Sequence, residues 1–256
     1  MTTRTFSLQP PEFIKLLAND VRWGLLKALT TSDHQVNELV TLLQQPMNLV
    51  SYHLKKMRDE ALVTTRRSEA DGRDVYYSLD LNRLRQLFIE TEQALHPAMG
   101  VMLPTFDPKS LLHQSVLFVC THNSARSQMA EGLLRHLSYG RLEVTSAGSH
   151  PTAVHPDAIR AMDQFGIDIR QQHSRLLDNF KGQPFDIVIT VCDKAREVCP
   201  TFPGSGQQMH WGFPDPVSIV DDDERAEAFE FTAQRLKSRI EYFLTTLPTT
   251  SEVTLG

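Results

Sequence analysis

Cysteine is scarce in this chain of 256 residues: Cys120, Cys192 and Cys199 are the only three, and residues 1–119 contain none. So small and odd a number argues against the disulfide framework of a secreted domain and leaves metal binding, redox chemistry or nucleophilic catalysis. Also lacking is any apolar run long enough to cross a bilayer, and the first residues, MTTRTFSLQPPEF, do not have the charged-then-apolar layout of a signal peptide. The expectation is a cytoplasmic protein with no membrane role. Excess positive charge is lacking too. Residues 1–105 carry 12 Lys/Arg against 12 Asp/Glu, and residues 106–256 carry 14 against 19, so the net charge of −5 lies in the second half.

The length suits two domains, and 41% hydrophobic residues can fill two cores. Between the halves, HPAMGVMLPTFDPKS holds three prolines and a glycine, which interrupt any helical period. The boundaries expected are a first domain over 1–95, a linker over 96–113, a second domain over 114–247 and a flexible tail over 248–256. The tail sequence PTTSEVTLG has no periodic apolar face.

In the first half, Phe13, Leu16 and Leu17, then Val21, Leu25, Leu26 and Leu29, then Val36, Leu39, Val40 and Leu43 recur at helical spacing. After Pro46, NLVSYHLKKMRDEALV predicts a helix with Leu49, Leu54 and Met57 inward and a polar, cationic face of Asn48, Ser51, Tyr52, Lys55 and Lys56, with His53 among them. VTTRRSEADGRDVYYSL reads as a hairpin, its Asp71-Gly72 pair supplying positive-φ residues to a tight turn. A last helix, LNRLRQLFIETEQAL, follows. This order is that of a mainly α winged helix-turn-helix. A helix fits the major groove of DNA, and a hairpin bearing Arg66, Arg67 and Arg73 can lie against phosphates or the minor groove.

Across residues 10–95, the segments LLANDVRWGLLKAL, NLVSYHLKKMRDEALV and GRDVYYSL resemble the ArsR family of winged-helix repressors. The resemblance implies a homodimer, formed through this domain, that binds a DNA operator. Arsenic sensors of that family commonly place paired cysteines in the helix before the recognition helix. Here that helix reads QVNELVTLL, so no thiolate site for arsenite can exist in residues 1–119. Glu92 and His96 are one helical turn apart, too sparse a set for a metal, and no metal site is assigned.

The second half alternates strand-like and helix-like segments: SVLFVC, MAEGLLRHL, LEVTSAG, HPDAIRAMDQFG, FDIVITVC, QMHWGF and a long final helix from Asp222. That pattern predicts an α/β three-layer domain on a parallel four-stranded sheet, with ligands at the carboxyl ends of its strands. Cys120 falls at a strand-to-helix crossing. From it, Cys120-Thr121-His122-Asn123-Ser124-Ala125-Arg126 forms a C-x5-R loop followed by Ser127. Such a loop at a helix N-terminus can aim backbone N–H groups at a tetrahedral oxyanion, with Arg126 closing the cradle. The same positive surroundings are expected to pull the Cys120 thiol below its ordinary pKa of about 8.5, and Ser127 can hydrogen-bond the sulfur. Asp215, between two prolines in HWGFPDPV, is the candidate acid for a departing oxygen. A buried structural cysteine beside a surface arginine would imitate the loop, and a turn aspartate would imitate Asp215.

Over residues 115–247 these motifs, with SAG at 146–148, VCDKAREVC at 191–199 and HWGFPDP at 210–216, resemble the low-molecular-weight tyrosine phosphatase fold and, within it, the thioredoxin-coupled arsenate reductases. Val217 and Ser218 stand where phosphatases of this fold usually carry aromatic residues. If helical, the span between Cys192 and Cys199 sets them about 10.5 Å apart along the axis, whereas a disulfide needs Cα atoms within about 7 Å, so bonding requires the span to unwind. The resemblance implies that it does, and that Cys120, Cys192 and Cys199 form a relay converting arsenate to arsenite, with thioredoxin as reductant and no bound cofactor. The alternatives are a phosphatase fused to a regulator and a pure transcription factor with a non-catalytic sensing domain. His122 stands where many relatives have glycine. Asn123, Glu131 and Ser146 match a potassium site of some relatives, but Arg175 puts a guanidinium there, so no potassium dependence is expected.

Overall fold

The computed structural model describes residues 9–95, 107–198 and 206–249. These form two compact units, one built on residues 9–66 and 75–95 and the other on residues 67–74 together with everything described from Asp107 onward.

The first unit is made of α1 (Glu12–Leu17), α2 (Asp20–Thr31), β1 (His34–Gln35), α3 (Val36–Leu43), α4 (Met47–Asp59), β2 (Val63–Arg67), β3 (Val75–Leu79) and α5 (Leu81–Leu95). Local chemistry sets the boundaries. Asn19 caps α2 by accepting from Arg22 N–H, and Gln35 and Glu38 cap α3 reciprocally. Gln44 ends α3 in the left-handed region at φ 53°, and Pro46 then precedes α4. The helices enclose Leu25, Leu29, Leu39, Val50, Leu54 and Met57. The strands form a sheet in the order β1-β3-β2. Helices, hairpin and final helix therefore occur as expected, with Val50 rather than Leu49 as the fully buried apolar residue early in α4. The hairpin turn differs. Neither Asp71 nor Gly72 has a positive φ. The connection runs from Ser68 to Asp74, closed by Asp74 N–H to the Asp71 carbonyl at 3.0 Å and by Arg73 N–H to the Asp71 carboxylate. An aspartate side chain that accepts two residues ahead shapes such a turn without a left-handed residue.

The second unit contains β4 (Ser115–Cys120), α6 (Arg126–Leu137), β5 (Glu143–Gly148), α7 (Pro156–Asp163), β6 (Ile187–Thr190), α8 (Asp193–Val198), β7 (Gln207–His210) and α9 (Asp222–Leu244). Its sheet is parallel throughout, in the order β5-β4-β6-β7. Consecutive residues Val116, Leu117, Phe118 and Val119 are all buried, which requires both faces of β4 to be covered. Trp211 packs between Phe118 and Phe243 and ties the sheet to α9. Of the segment expected to be linker, residues 96–106 lie outside the described residues, and Leu111 is part of the core. Leu112 N–H donates to Pro248 and Leu111 bridges Thr249, so these tail positions are held; residues 250–256 lie outside the described set.

β6 ends at Thr190, two residues before Cys192, which therefore stands at the mouth of α8 rather than in the strand. Arg196 N–H already donates to the Cys192 carbonyl, so the helical bonding begins at the cysteine.

Candidate active site

Cys120 is the last residue of β4, paired across the sheet with Gly148. From there the chain turns out of the sheet into residues 121–125 and enters α6 at Arg126. The carbonyls of Thr121, His122 and Ser124 accept backbone N–H groups from His150, Thr152 and His155, and the Asn123 carbonyl accepts from Ser174 Oγ and Gln128 Nε2. In a trans peptide the N–H points opposite to the carbonyl. Four successive carbonyls held outward therefore turn the N–H groups of residues 122–125 toward the middle of the loop. Asn123, at φ 47°, makes the turn possible, and its N–H lies 3.0 Å from Cys120 Sγ. Gly148 leaves room for it: a Cβ there would lie 2.6 Å from the Thr121 carbonyl oxygen and 2.8 Å from Asn123 N.

Below the sulfur a chain of hydrogen bonds runs into the core. Cys120 Sγ and Ser127 Oγ are 2.9 Å apart. Asn123 Nδ2 donates to Ser127 Oγ and to Ser146 Oγ, which leaves the Ser127 proton for the sulfur. Ser146 donates to the fully buried Glu131 carboxylate at 2.6 Å, which also pairs with Arg135 and Arg175. Arg175 N–H donates to Asn123 Oδ1.

Arg126 is buried at the first position of α6. Nη1 donates to the Phe213 carbonyl at 2.6 Å, and Nη2 lies 3.1 Å from Asp215 Oδ2, so the loop, its arginine and the Asp-Pro segment meet. Asp215 also caps a short 3-10 turn at Pro216. Cys192 is buried, with its sulfur 3.4 Å from Thr121 Oγ1. Cys120 and Cys192 are both free thiols. Cys199 lies outside the described residues.

The expected lowering of the Cys120 pKa does not occur in this geometry. Burial pushes the thiol up and the neighbouring Cys192 charge adds to it, outweighing the opposing pull of Ser127, Arg126 and the Asn123 N–H. Loss of solvation disfavours the thiolate more than the loop's positive groups favour it.

In the first unit, Asn48, Ser51, Tyr52, Lys55 and Lys56 are exposed on α4 as expected. Lys56 Nζ lies over the Tyr52 ring. Arg67 donates to the Gly72 carbonyl, and Arg73 pairs with Asp71 at the exposed turn. Two of the expected DNA-facing residues turn inward instead. His53 is only 6% exposed, 3.2 Å from Arg22 Nη1, and burial together with the Arg22 and Lys56 charges lowers its pKa. Arg66 lies over the Tyr76 ring and within 3.9 Å of buried Asp33. One element of the second unit escaped the sequence reading, a buried line of Thr190, His210 and Asp193 beside Cys192. The only hint was an aspartate in the first turn of a helix, where an acidic residue is common.

Residues 115–252 match the family described as low molecular weight phosphotyrosine protein phosphatase, and residues 19–65 match the arsR family of bacterial regulatory proteins. An arsenate reductase of Halalkalibacterium halodurans is 39% identical over 132 residues, covering 51% of this chain and 95% of that protein. An arsenate reductase of Bacillus subtilis is 38% identical over 125 residues, covering 49% and 88%. Arsenate reductase 2 of Staphylococcus saprophyticus is 44% identical over 104 residues, covering 41% and 79%.

Proposed function

The chain belongs to the low molecular weight phosphotyrosine protein phosphatase family, fused behind an ArsR-family helix-turn-helix region, and from that premise we propose that it reduces arsenate to arsenite with its second unit and binds an operator with its first. The observation that carries the reading is the second buried thiol, Cys192, hydrogen-bonded to the loop that starts at Cys120. Hydrolysis of a phosphate ester needs only the loop, the arginine and an acid. A reduction needs two further electrons, and joining a second thiol to the first in a disulfide supplies them.

In this mechanism the loop N–H groups and Arg126 hold arsenate against Cys120, whose proton passes to an arsenate oxygen. The thiolate attacks arsenic, and Asp215 protonates the departing oxygen, leaving a sulfur-arsenic(V) bond. Cys192 then attacks the Cys120 sulfur. A sulfur-sulfur bond forms, the sulfur-arsenic bond breaks, and its electron pair stays on arsenic, which departs as arsenite. Cys199 attacks Cys192, frees Cys120, and passes the disulfide to thioredoxin for reduction. No metal or organic cofactor takes part. For the first unit the proposal is a homodimer acting in the cytoplasm, with the polar face of α4 in the major groove. Among the described residues no helix is long and apolar enough to cross a membrane.

The test is arsenite formation coupled to thioredoxin and an NADPH-driven thioredoxin reductase, run beside hydrolysis of an aryl phosphate. Ester hydrolysis without arsenite formation would make the second unit a phosphatase; neither activity would leave it a sensor.

A further inference from the structure

The turn between β2 and β3 places a carboxylate on the very arginine that the mechanism above gives to arsenate. Residues 67–74 belong to the second unit, and two of them are bound to α8. Ser68 is buried; its hydroxyl donates to Glu197 Oε1 at 2.6 Å and accepts the N–H groups of Ala70 and Asp71. Glu69 N–H donates to Asp193 Oδ2 at 2.9 Å. From a backbone held in this way, the Glu69 side chain reaches the C-x5-R loop, where Oε1 and Oε2 lie 3.1 and 3.0 Å from Arg126 Nη1.

Both arms of the guanidinium are thereby engaged. Nη1 meets the Phe213 carbonyl and Glu69, and Nη2 meets Asp215, so one buried cation faces two carboxylates. A tetrahedral oxyanion seated in the loop needs the same guanidinium. To add a dianion while Glu69 stays would crowd like charges where little water screens them. We propose that Glu69 is an internal competitor of the oxyanion site, a tethered carboxylate that an incoming anion displaces from Arg126. The inference deepens the arsenate reading above, since it concerns the same loop. The Glu69 side chain is 22% exposed, so rotation about its own bonds carries the carboxylate into water while Ser68 and the Glu69 N–H keep their contacts with α8. The tether gives the carboxylate an effective concentration on the order of millimolar at Arg126. An occupancy of about nine-tenths lowers the apparent affinity for an outside anion roughly tenfold, so Glu69 sets the oxyanion concentration at which the site fills.

The experiment compares the full-length protein with Glu69→Gln, which keeps the shape and removes the charge, and with Glu69→Ala. Calorimetric binding of inorganic phosphate to the reduced protein is read first, since it needs no reduction chemistry. Phosphate should bind both variants roughly tenfold more tightly than the wild type. The direction matters: a turn that merely supported the loop would, once weakened, leave the anion bound less well. Arsenite formation is read second. The KM for arsenate should fall by the same factor with the single-turnover rate at saturating arsenate unchanged, the split expected of a group that competes with substrate and takes no part in the reaction. Phosphate affinity that is unchanged or weaker in both variants overturns the competitor. So does loss of the fold in Glu69→Gln, which would make the carboxylate a structural tie. Tighter phosphate binding by the variants, with no arsenite formed by any of the three proteins, overturns the reductase reading and leaves the competitor standing; arsenite formation with unaltered phosphate affinity does the reverse.

Discussion

Arg175 Nη1 lies 3.2 Å from Oε2 of Glu131, a carboxylate with no solvent exposure that holds Ser146 and, through it, Asn123 beside Cys120. A buried carboxylate needs a positive partner, and the chain supplies its own guanidinium. Exchanging potassium for sodium at constant ionic strength should therefore change kcat/KM for arsenate by less than roughly twofold. A strong stimulation by potassium would show that the guanidinium does not fill that role.

Burial raises the Cys120 pKa, so at neutral pH less of it is thiolate than in a free cysteine. Alkylation of Cys120 by iodoacetamide, followed by mass spectrometry of its peptide, should be slow at pH 7 and keep rising through the ordinary thiol range and beyond. Ser127→Ala removes a hydrogen bond that favours the thiolate and should move the profile further toward alkaline pH. A Cys120 that reacts fully as thiolate at pH 6 would contradict this.

Cys199→Ser should release about one arsenite per chain and then stop, because Cys192 has no partner to hand the disulfide to thioredoxin. Cys192→Ser should release none. Sustained thioredoxin-coupled turnover by Cys199→Ser would refute the relay.

Lys55 and Lys56 are exposed on α4, whereas Arg66 is turned toward Asp33 and Tyr76. Replacing either lysine with alanine should weaken operator binding and reduce the slope of log K against log salt by about 1. Arg66→Ala should instead leave that slope unchanged and lower stability by about 1–3 kcal/mol, as a buried acceptor loses a partner. His53 adds a pH signature. Its lowered pKa means the folded unit binds fewer protons than the unfolded chain, so stability is present above the unfolded value of 6.5 and is lost as pH falls through the folded one. Thermal unfolding of His53→Gln should show a flatter decline in that window.

Gly148→Ala should abolish activity while costing about 1–3 kcal/mol of stability, because the new methyl meets loop backbone that cannot move without displacing Asn123. Wild-type turnover by this variant would mean that the loop tolerates a shift the geometry forbids.

Much of this protein was legible in its residues. Continuous apolar runs marked the parallel strands, the C-x5-R spacing marked the loop, and helical periods marked most of both units, because these signals are local and each repeats within one element. His53 and Arg66 were misplaced for the opposite reason. Which face of α4 or of β2 is covered depends on partners distant in sequence, here Arg22 and Asp33. The hairpin turn was misread because a side chain, Asp71, shaped it where positive φ was expected.

Sequence alone determined the order of elements, the nucleophile's place at a strand end, and the confinement of every thiol to residues 120–199. Only the tertiary structure decided that Asp215 meets Arg126, that Cys192 rests on Thr121, and that Asp193 is gripped by His210. It also decided the direction in which the Cys120 pKa moves. A thiol's affinity for its proton is a balance between nearby charges and lost water, and the second quantity exists only once the chain has closed around it.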